Sequence, residues 1–200
     1  MPPQNSDLHG SAPDKSPVAL LLIDVVNDLD FPEGEQLFEF ALPAAKRIAE
    51  LKQRCQAARI PVVYVNDNFG RWQSNFTTHV EHCLQDDVLG KPIVELLAPD
   101  DDDYYVLKPK HSGFYSTTLD LLLRHLHTKT VVVAGVAGDI CVLFTAGDAY
   151  LRDLRVVVPA DCVASNSQEE NDAALKLMAK ILKADVRPST ELDLEKLLND

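Results

Sequence analysis

The chain has 200 residues, of which 46% are hydrophobic and 25% charged, and its formal net charge is −12. These values are typical of one globular domain with a sizeable core. The acidity, with no cluster of lysine and arginine, excludes the basic surface of a nucleic-acid or anionic-membrane binder. The apolar run at 18–23 is far too short to span a bilayer.

The N-terminus is polar, contains Pro and Gly, and lacks the features of a signal peptide. We therefore predict a disordered tail at 1–16 and a single domain over 17–200. Four cysteines lie far apart and form no C-x-x-C motif: Cys55, Cys83, Cys141 and Cys162. A chain of this size folds without disulfides, which predicts reduced thiols and a cytoplasmic protein.

The first predicted element is a buried strand over 17–24 that ends in Asp24. Ligands of open parallel sheets bind beyond the carboxyl ends of the strands, so Asp24 is a candidate functional residue. An aspartate in this place also serves as a cap or turn residue, and alone it decides nothing. An irregular loop at 25–34, an amphipathic helix over 42–58 and a second strand over 61–66 follow.

A polar loop rich in aromatic residues then extends over 67–76 and contains Trp72, the only tryptophan. Such a loop either closes over a substrate or is anchored by its own aromatic side chains. His79 and His82 follow on a predicted helix, three residues apart. Because no further ligand stands at a metal-binding spacing, we predict a solvated helix face there and no metal site.

A third predicted strand over 104–107 is followed directly by Lys108, and a helix is predicted over 119–126. A lysine in this place either faces a site at the sheet edge or extends along the surface.

The segment 131–142 combines a buried β-branched strand, a turn with two glycines and the start of a helix over 140–152. Asp139 is a preferred N-cap residue, which would place Cys141 in the first helical turn. The positive end of the helix dipole favours a thiolate in that position. A cysteine there is also commonly a small buried hydrophobe, so its neighbours must decide between the two interpretations.

The rest of the chain is predicted as a strand at 155–159, a loop at 161–164, a helix at 169–182, a short sixth strand at 184–186 and a helix at 191–198. Alternating strands and helices with short connections imply right-handed crossovers. We therefore predict an α/β three-layer sandwich with a mostly parallel, six-stranded central sheet.

Three predicted strand ends thus carry Asp24, Lys108 and Cys141, and this set resembles the isochorismatase-like cysteine hydrolases, which include nicotinamidases and N-carbamoylsarcosine amidohydrolase. The resemblance covers 17–186. It rests on three motifs that are specific in this order and spacing: Leu21-Leu22-Ile23-Asp24 with Asn27-Asp28, Lys108-Pro109-Lys110-His111-Ser112-Gly113-Phe114, and Gly135-Val136-Ala137-Gly138-Asp139-Ile140-Cys141-Val142 with Thr145-Ala146 and Asp148-Ala149.

The resemblance implies that Asp24 is the general base and acid, that Lys108 is its cationic partner and that Cys141 is the nucleophile. It also implies a cis peptide bond between Val136 and Ala137, which would aim the N–H groups of Ala137 and Cys141 at an oxyanion. Gly138 departs from the threonine usual in the family, which affects the rigidity of the turn and removes one hydroxyl from the substrate side.

The implied reaction is hydrolysis of a C–N bond in a small amide or ureide through a thioester, with the neighbouring lysine lowering the thiol pKa. Nicotinamidases carry an Asp-x-His pair where this chain has Asn66-Asp67-Asn68, so we expect no zinc and no other cofactor. A small-molecule substrate would contact Phe31, Trp72 and Phe114. Many family members are homodimers or homotetramers, and we expect the same here.

Functions outside this family fit the sequence less well. An aspartyl-phosphate phosphatase needs a second aspartate two positions after the first, where this chain has Val26. A dinucleotide-binding Rossmann protein needs a glycine-rich turn after its first strand, which the sequence lacks. Within the family, an isochorismatase acting on a vinyl ether, or a decayed member serving as a binding or oligomeric module, stays open.

Overall fold

The computed structural model describes residues 15–68 and 75–199. The strands in these ranges are β1 (Val18–Ile23), β2 (Val62–Asp67), β3 (Tyr104–Lys108), β4 (Thr130–Val136), β5 (Arg155–Val157) and β6 (Val163–Ala164). The α-helices are α1 (Gly34–Ala57), α2 (Phe76–Gln85), α3 (Lys91–Leu96), α4 (Leu119–His125), α5 (Leu143–Tyr150), α6 (Gln168–Leu177) and α7 (Leu194–Asn199). None of the described helices combines the length and apolarity that a bilayer crossing requires.

The strands form one sheet in the order β3-β2-β1-β4-β5, and β6 pairs with the end of β4. Each of these pairings is parallel, which confirms the predicted fold class. β1 lies between β2 and β4, with Ile23 in register with Val65 on one side and Gly135 on the other. The carboxyl ends of these strands therefore meet at one edge of the sheet.

Two cores cover the two faces of the sheet, because alternate side chains of a strand point to opposite faces. Leu20 and Leu22 pack into a core shared with α1, α2, α3 and α7. Leu21 and Ile23 pack into a second core shared with α4, α5 and α6. All six residues of β1 are buried, as expected for a strand covered on both sides.

The sequence predictions were wrong for the start of helix α1 and for the place of the sixth strand. Helix α1 begins at Gly34 and contains Pro43, because Leu37 and Ala41 already bury one face against the sheet. The sixth strand is Val163–Ala164, in the predicted loop, whereas 184–186 forms only an isolated bridge at Asp185. A two-residue strand has no periodicity that a sequence could reveal.

The N-terminal boundary also differs from the prediction. Residues 1–14 of the predicted tail lie outside the described residues. Ser16 is buried, and its amide donates a hydrogen bond of 2.8 Å to the Leu126 carbonyl. The packed domain therefore includes Ser16.

Candidate active site

The three candidate residues meet at the carboxyl edge of the sheet. Asp24 follows β1, Lys108 ends β3, and Cys141 lies in a π-helical turn, Gly138–Val142, that leads from β4 into α5. Nζ of Lys108 is 2.8 Å from Oδ2 of Asp24 and 3.5 Å from Sγ of Cys141. Because β2 lies between β1 and β3 in the sheet, the side chains of Lys108 and Asp24 reach towards each other from strands that are not adjacent.

Asp24 is held on both carboxylate oxygens. Its Oδ1 accepts a 2.7 Å hydrogen bond from the Asp67 amide, while Lys108 contacts Oδ2. Its backbone φ is 50°, in the left-handed region that aspartate tolerates better than most residues. The chain thus leaves β1 sharply and keeps the carboxylate at the edge of the sheet.

Lys108 is fully buried and remains charged. Burial by itself lowers the pKa of its ammonium, but Asp24, Cys141 and Asp67 together raise that pKa above its ordinary value. Oδ2 of Asp67 contributes from 3.6 Å. The site therefore contains a fixed positive charge at neutral pH.

The sequence predicted a lowered thiol pKa at Cys141, and the structure contradicts this. Burial and the Asp24 carboxylate raise the pKa of the Cys141 thiol to about 12, and Lys108 offsets only part of the increase. Burial also raises the pKa of the Asp24 carboxyl, against the effect of Lys108. The single ammonium of Lys108 thus lies beside two acidic groups, and burial opposes the ionisation of both.

The turn before Cys141 begins with a cis peptide bond between Val136 and Ala137. The amide of Val142 donates a 3.1 Å hydrogen bond to the Ala137 carbonyl, in the wide spacing of a π-turn. Ala137 precedes the helical turn and makes no side-chain cap, so the predicted N-cap at Asp139 was wrong. The role of the Ala137 and Cys141 amides at an oxyanion stays a prediction.

The structure explains why glycine stands at position 138. A Cβ atom there would lie 2.5 Å from Oδ1 of Asn171, 2.7 Å from Cγ1 of Val163 and 2.9 Å from Oγ of Ser165. Ser165 Oγ accepts a 3.2 Å hydrogen bond from the Asp139 amide and lies 3.3 Å from Asn171 Oδ1, to which it donates. These two polar side chains thus occupy the space that a Cβ atom at position 138 would need, and Ser165 is hydrogen-bonded to the turn.

The predicted pocket residues lie in different environments. Phe31 is 39% exposed in the loop after β1. Phe114 is buried, with the guanidinium carbon of Arg152 4.5 Å from its ring centroid. Trp72 lies outside the described residues. A role for these three side chains in substrate binding stays a prediction.

Two residues that the sequence analysis did not select also border the site. Nδ1 of His111 is 3.9 Å from Sγ of Cys141. Asp67 supplies both an amide to Asp24 and a carboxylate near Lys108. Asp67 is the last residue of β2, close to the strand end as Asp24 is at β1, and this position could have identified it. The place of His111 instead depends on how its loop packs.

The histidines of α2 do not form the solvated face that the sequence predicted. Both rings face the loop after β1: His79 Nε2 lies 2.9 Å from the Val26 carbonyl and His82 Nε2 lies 3.2 Å from Asp28 Oδ2. On its other side, His82 Nδ1 is 2.6 Å from Oδ2 of Asp86. Within the described ranges, no group of three or more His, Cys, Asp or Glu side chains is arranged to hold a metal ion.

The sequence profile of the Isochorismatase domain matches residues 18–189. The chain belongs to the isochorismatase family. One family relative, the isochorismatase family protein YaaI of Bacillus subtilis, is 38% identical over 178 residues, which are 89% of this chain and 97% of YaaI.

Solved structures of the isochorismatase family show the same fold. N-carbamoylsarcosine amidase from Thermoplasma acidophilum is 29% identical with a TM-score of 0.66, and the match covers 88% of this chain and 98% of the amidase. A nicotinamidase from Staphylococcus aureus is 25% identical with a TM-score of 0.61, covering 86% of this chain and 98% of the nicotinamidase.

Proposed function

We propose that this protein is a cysteine-dependent hydrolase that cleaves a C–N bond of a small amide or ureide through a thioester. The observation that carries the proposal is the contact of Lys108 with both Asp24 and Cys141 at one sheet edge. The similarity to an N-carbamoylsarcosine amidase and a nicotinamidase supports this substrate class.

In the first half of the reaction, Asp24 accepts the proton of the Cys141 thiol. Lys108 contacts both Asp24 and Cys141, so its positive charge lies beside whichever of the two carries the negative charge as the proton moves. The thiolate then attacks the substrate carbonyl carbon, and the oxyanion accepts hydrogen bonds from the amides of Ala137 and Cys141. Each such donor contributes about 10²–10³ in rate.

The tetrahedral intermediate next expels the nitrogen, which takes the proton from Asp24 and departs as ammonia or an amine. An acyl thioester remains on Cys141. Asp24, again a carboxylate, accepts a proton from water as the water attacks the thioester. Collapse of this second intermediate releases the acid, and the proton returns to the sulfur. The raised pKa of the Asp24 carboxyl suits a base that works near neutral pH.

We also place this enzyme in the cytoplasm. All four cysteines are free thiols, and three of them are buried in the cores. A reducing compartment is where free thiols persist.

The test is a panel of small amides, N-carbamoyl compounds and ureides, with ammonia release as the measurement. Cys141→Ala should lower turnover of the best substrate by about 10³-fold or more. A matched control, Cys83→Ala, removes a buried thiol on α2 and should retain activity. Mass spectrometry of the wild-type enzyme mixed with this substrate should show an acyl adduct on Cys141.

Full activity of Cys141→Ala would overturn the covalent route. Absence of ammonia release across the panel, from an enzyme whose Cys141 still reacts with iodoacetamide, would favour the binding-module alternative.

A further inference from the structure

A histidine lies on the open side of the candidate nucleophile. Nδ1 of His111 is 3.9 Å from Sγ of Cys141, within the distance of a hydrogen bond to sulfur. Asp24 and Lys108 are buried, whereas His111 is exposed. The sulfur is therefore contacted by a carboxylate and an ammonium from the protein side and by an imidazole from the solvent side.

The position of His111 is determined by contacts with α5, the helix that follows the turn containing Cys141. Its ring packs against Phe144 with centroids 5.5 Å apart and an interplanar angle of 43°. Two residues further along, the Gly113 amide donates a 3.0 Å hydrogen bond to Thr145 Oγ1, also on α5. The distance between imidazole and sulfur thus follows from the docking of one loop on one helix.

The Cys141 thiolate needs more stabilisation than Lys108 provides. Asp24 and burial together oppose ionisation of the Cys141 thiol, and Lys108 offsets only part of their effect. The Lys108 charge is shared with Asp24 and Asp67. An N–H donor placed on a thiolate stabilises the charged form and lowers the thiol pKa. Imidazole supplies such a donor in its neutral Nδ1–H tautomer and a stronger one when protonated.

We propose that His111 is a further catalytic residue, which donates a hydrogen bond from Nδ1 to the Cys141 thiolate. This inference rests on the proposed cysteine chemistry and adds to it a second stabilising group beside Lys108. Asp24 still receives the thiol proton, so the proton balance of the reaction is unchanged. The uncharged ring of Phe144 is the neighbour that holds the imidazole, and the other titratable groups acting on the sulfur are Asp24 and Lys108.

The test measures alkylation of Cys141 by iodoacetamide as a function of pH, with site-resolved mass spectrometry and no substrate. His111→Ala should slow alkylation at neutral pH by about tenfold, the effect of one hydrogen bond to a charged group. His111→Asn keeps an N–H donor near the Nδ1 position and should recover most of the rate.

The matched control is His125→Asn, which changes an exposed histidine on α4 and should leave the profile unchanged. Wild-type alkylation rates in His111→Ala across the pH range would overturn the inference. Because the assay needs no hydrolysis, it separates the two proposals: a failed substrate panel with an intact histidine effect would reject only the hydrolase function.

Discussion

At the scale of single residues, the packing around Gly138 leaves no space for a side chain. Ser165 and Asn171 are buried and occupy the space beside Gly138. Asn171 also donates a 3.2 Å hydrogen bond to the Val163 carbonyl, so the network connects β6 and α6 to the turn before Cys141. Two polar side chains from a later part of the chain therefore pack against Gly138 and connect the turn to β6 and α6.

We predict that Gly138→Ala lowers both the stability of the protein and its turnover. The added methyl would collide with Asn171, Val163 and Ser165, and overpacking of this kind costs about 1–3 kcal/mol of unfolding free energy. Chemical denaturation measures the stability, and the rate of Cys141 alkylation measures the displacement of the turn.

Gly147→Ala is the matched control for this substitution. Gly147 lies inside α5 with nothing within 4 Å of an added Cβ, so alanine there should stabilise the helix by about 0.5–1 kcal/mol. Equal stability of the two variants would show that the space around position 138 relaxes without cost.

His111 marks the limit of residue-scale prediction. Asp24, Lys108 and Cys141 could be selected because each follows an apolar strand, and parallel strands end at one edge of a sheet. His111 lies in a loop without periodicity, and its approach to the sulfur depends on packing against Phe144. The thiol pKa was predicted wrongly for a related reason, since burial of Cys141 cannot be derived from its position in a helical turn.

At the scale of elements, the sequence predicted the strands and helices whose burial produces a long run or repeat of apolar residues. β1, β2 and β4 are runs of apolar residues covered on both faces, and each was predicted close to its observed bounds. Helix α3 and strand β6 were missed because six and two residues are too few for a period to show.

Helix α2 is attached to the loop after β1 through its histidines, and this attachment should depend on pH. Asp86 and Asp28 raise the pKa of the His82 imidazolium above its ordinary value. Protonated His82 therefore stabilises the fold below the unfolded-state pKa, and the contribution is lost as pH rises through the higher folded-state pKa. The thermal midpoint of the wild type should exceed that of His82→Gln at about pH 6, and the two should converge by about pH 9.

Burial lowers the pKa of the neighbouring His79, and the charge of His82 also lowers it. A midpoint difference that stays constant or grows towards high pH would contradict the assignment.

At the scale of the whole molecule, one surface groove exposes several large apolar side chains. An apolar groove lies between α5 and the end of α6 and is lined by Leu143, Phe144, Gly147, Asp148, Leu151, Leu177, Ile181 and Leu182. Leu151 is 76% exposed and Ile181 is 52% exposed. Large apolar side chains exposed together in one groove favour contact with another protein surface. We predict that a second copy of the chain packs here and forms a homodimer.

Light scattering after size exclusion tests this assembly. The double variant Leu151→Glu, Ile181→Glu should elute as a monomer because it places carboxylates in a self-associating face of an already acidic chain. Leu121→Glu is the control, since Leu121 is 66% exposed on α4 and is not among the residues that line the groove. A wild-type monomer at tens of micromolar, or an unchanged mass for the double variant, would refute the prediction.

The central place of β1 in the sheet also determines when the Cys141 sulfur can meet Asp24 and Lys108 during synthesis of the chain. Asp24 emerges from the ribosome early, but β1 gains its second neighbour only when β4 has been synthesised, and Cys141 follows later still. Domains generally fold as units during and after translation. The contacts that Lys108 makes with Asp24 and Cys141 can therefore form only after β4 and the turn that follows it have been synthesised.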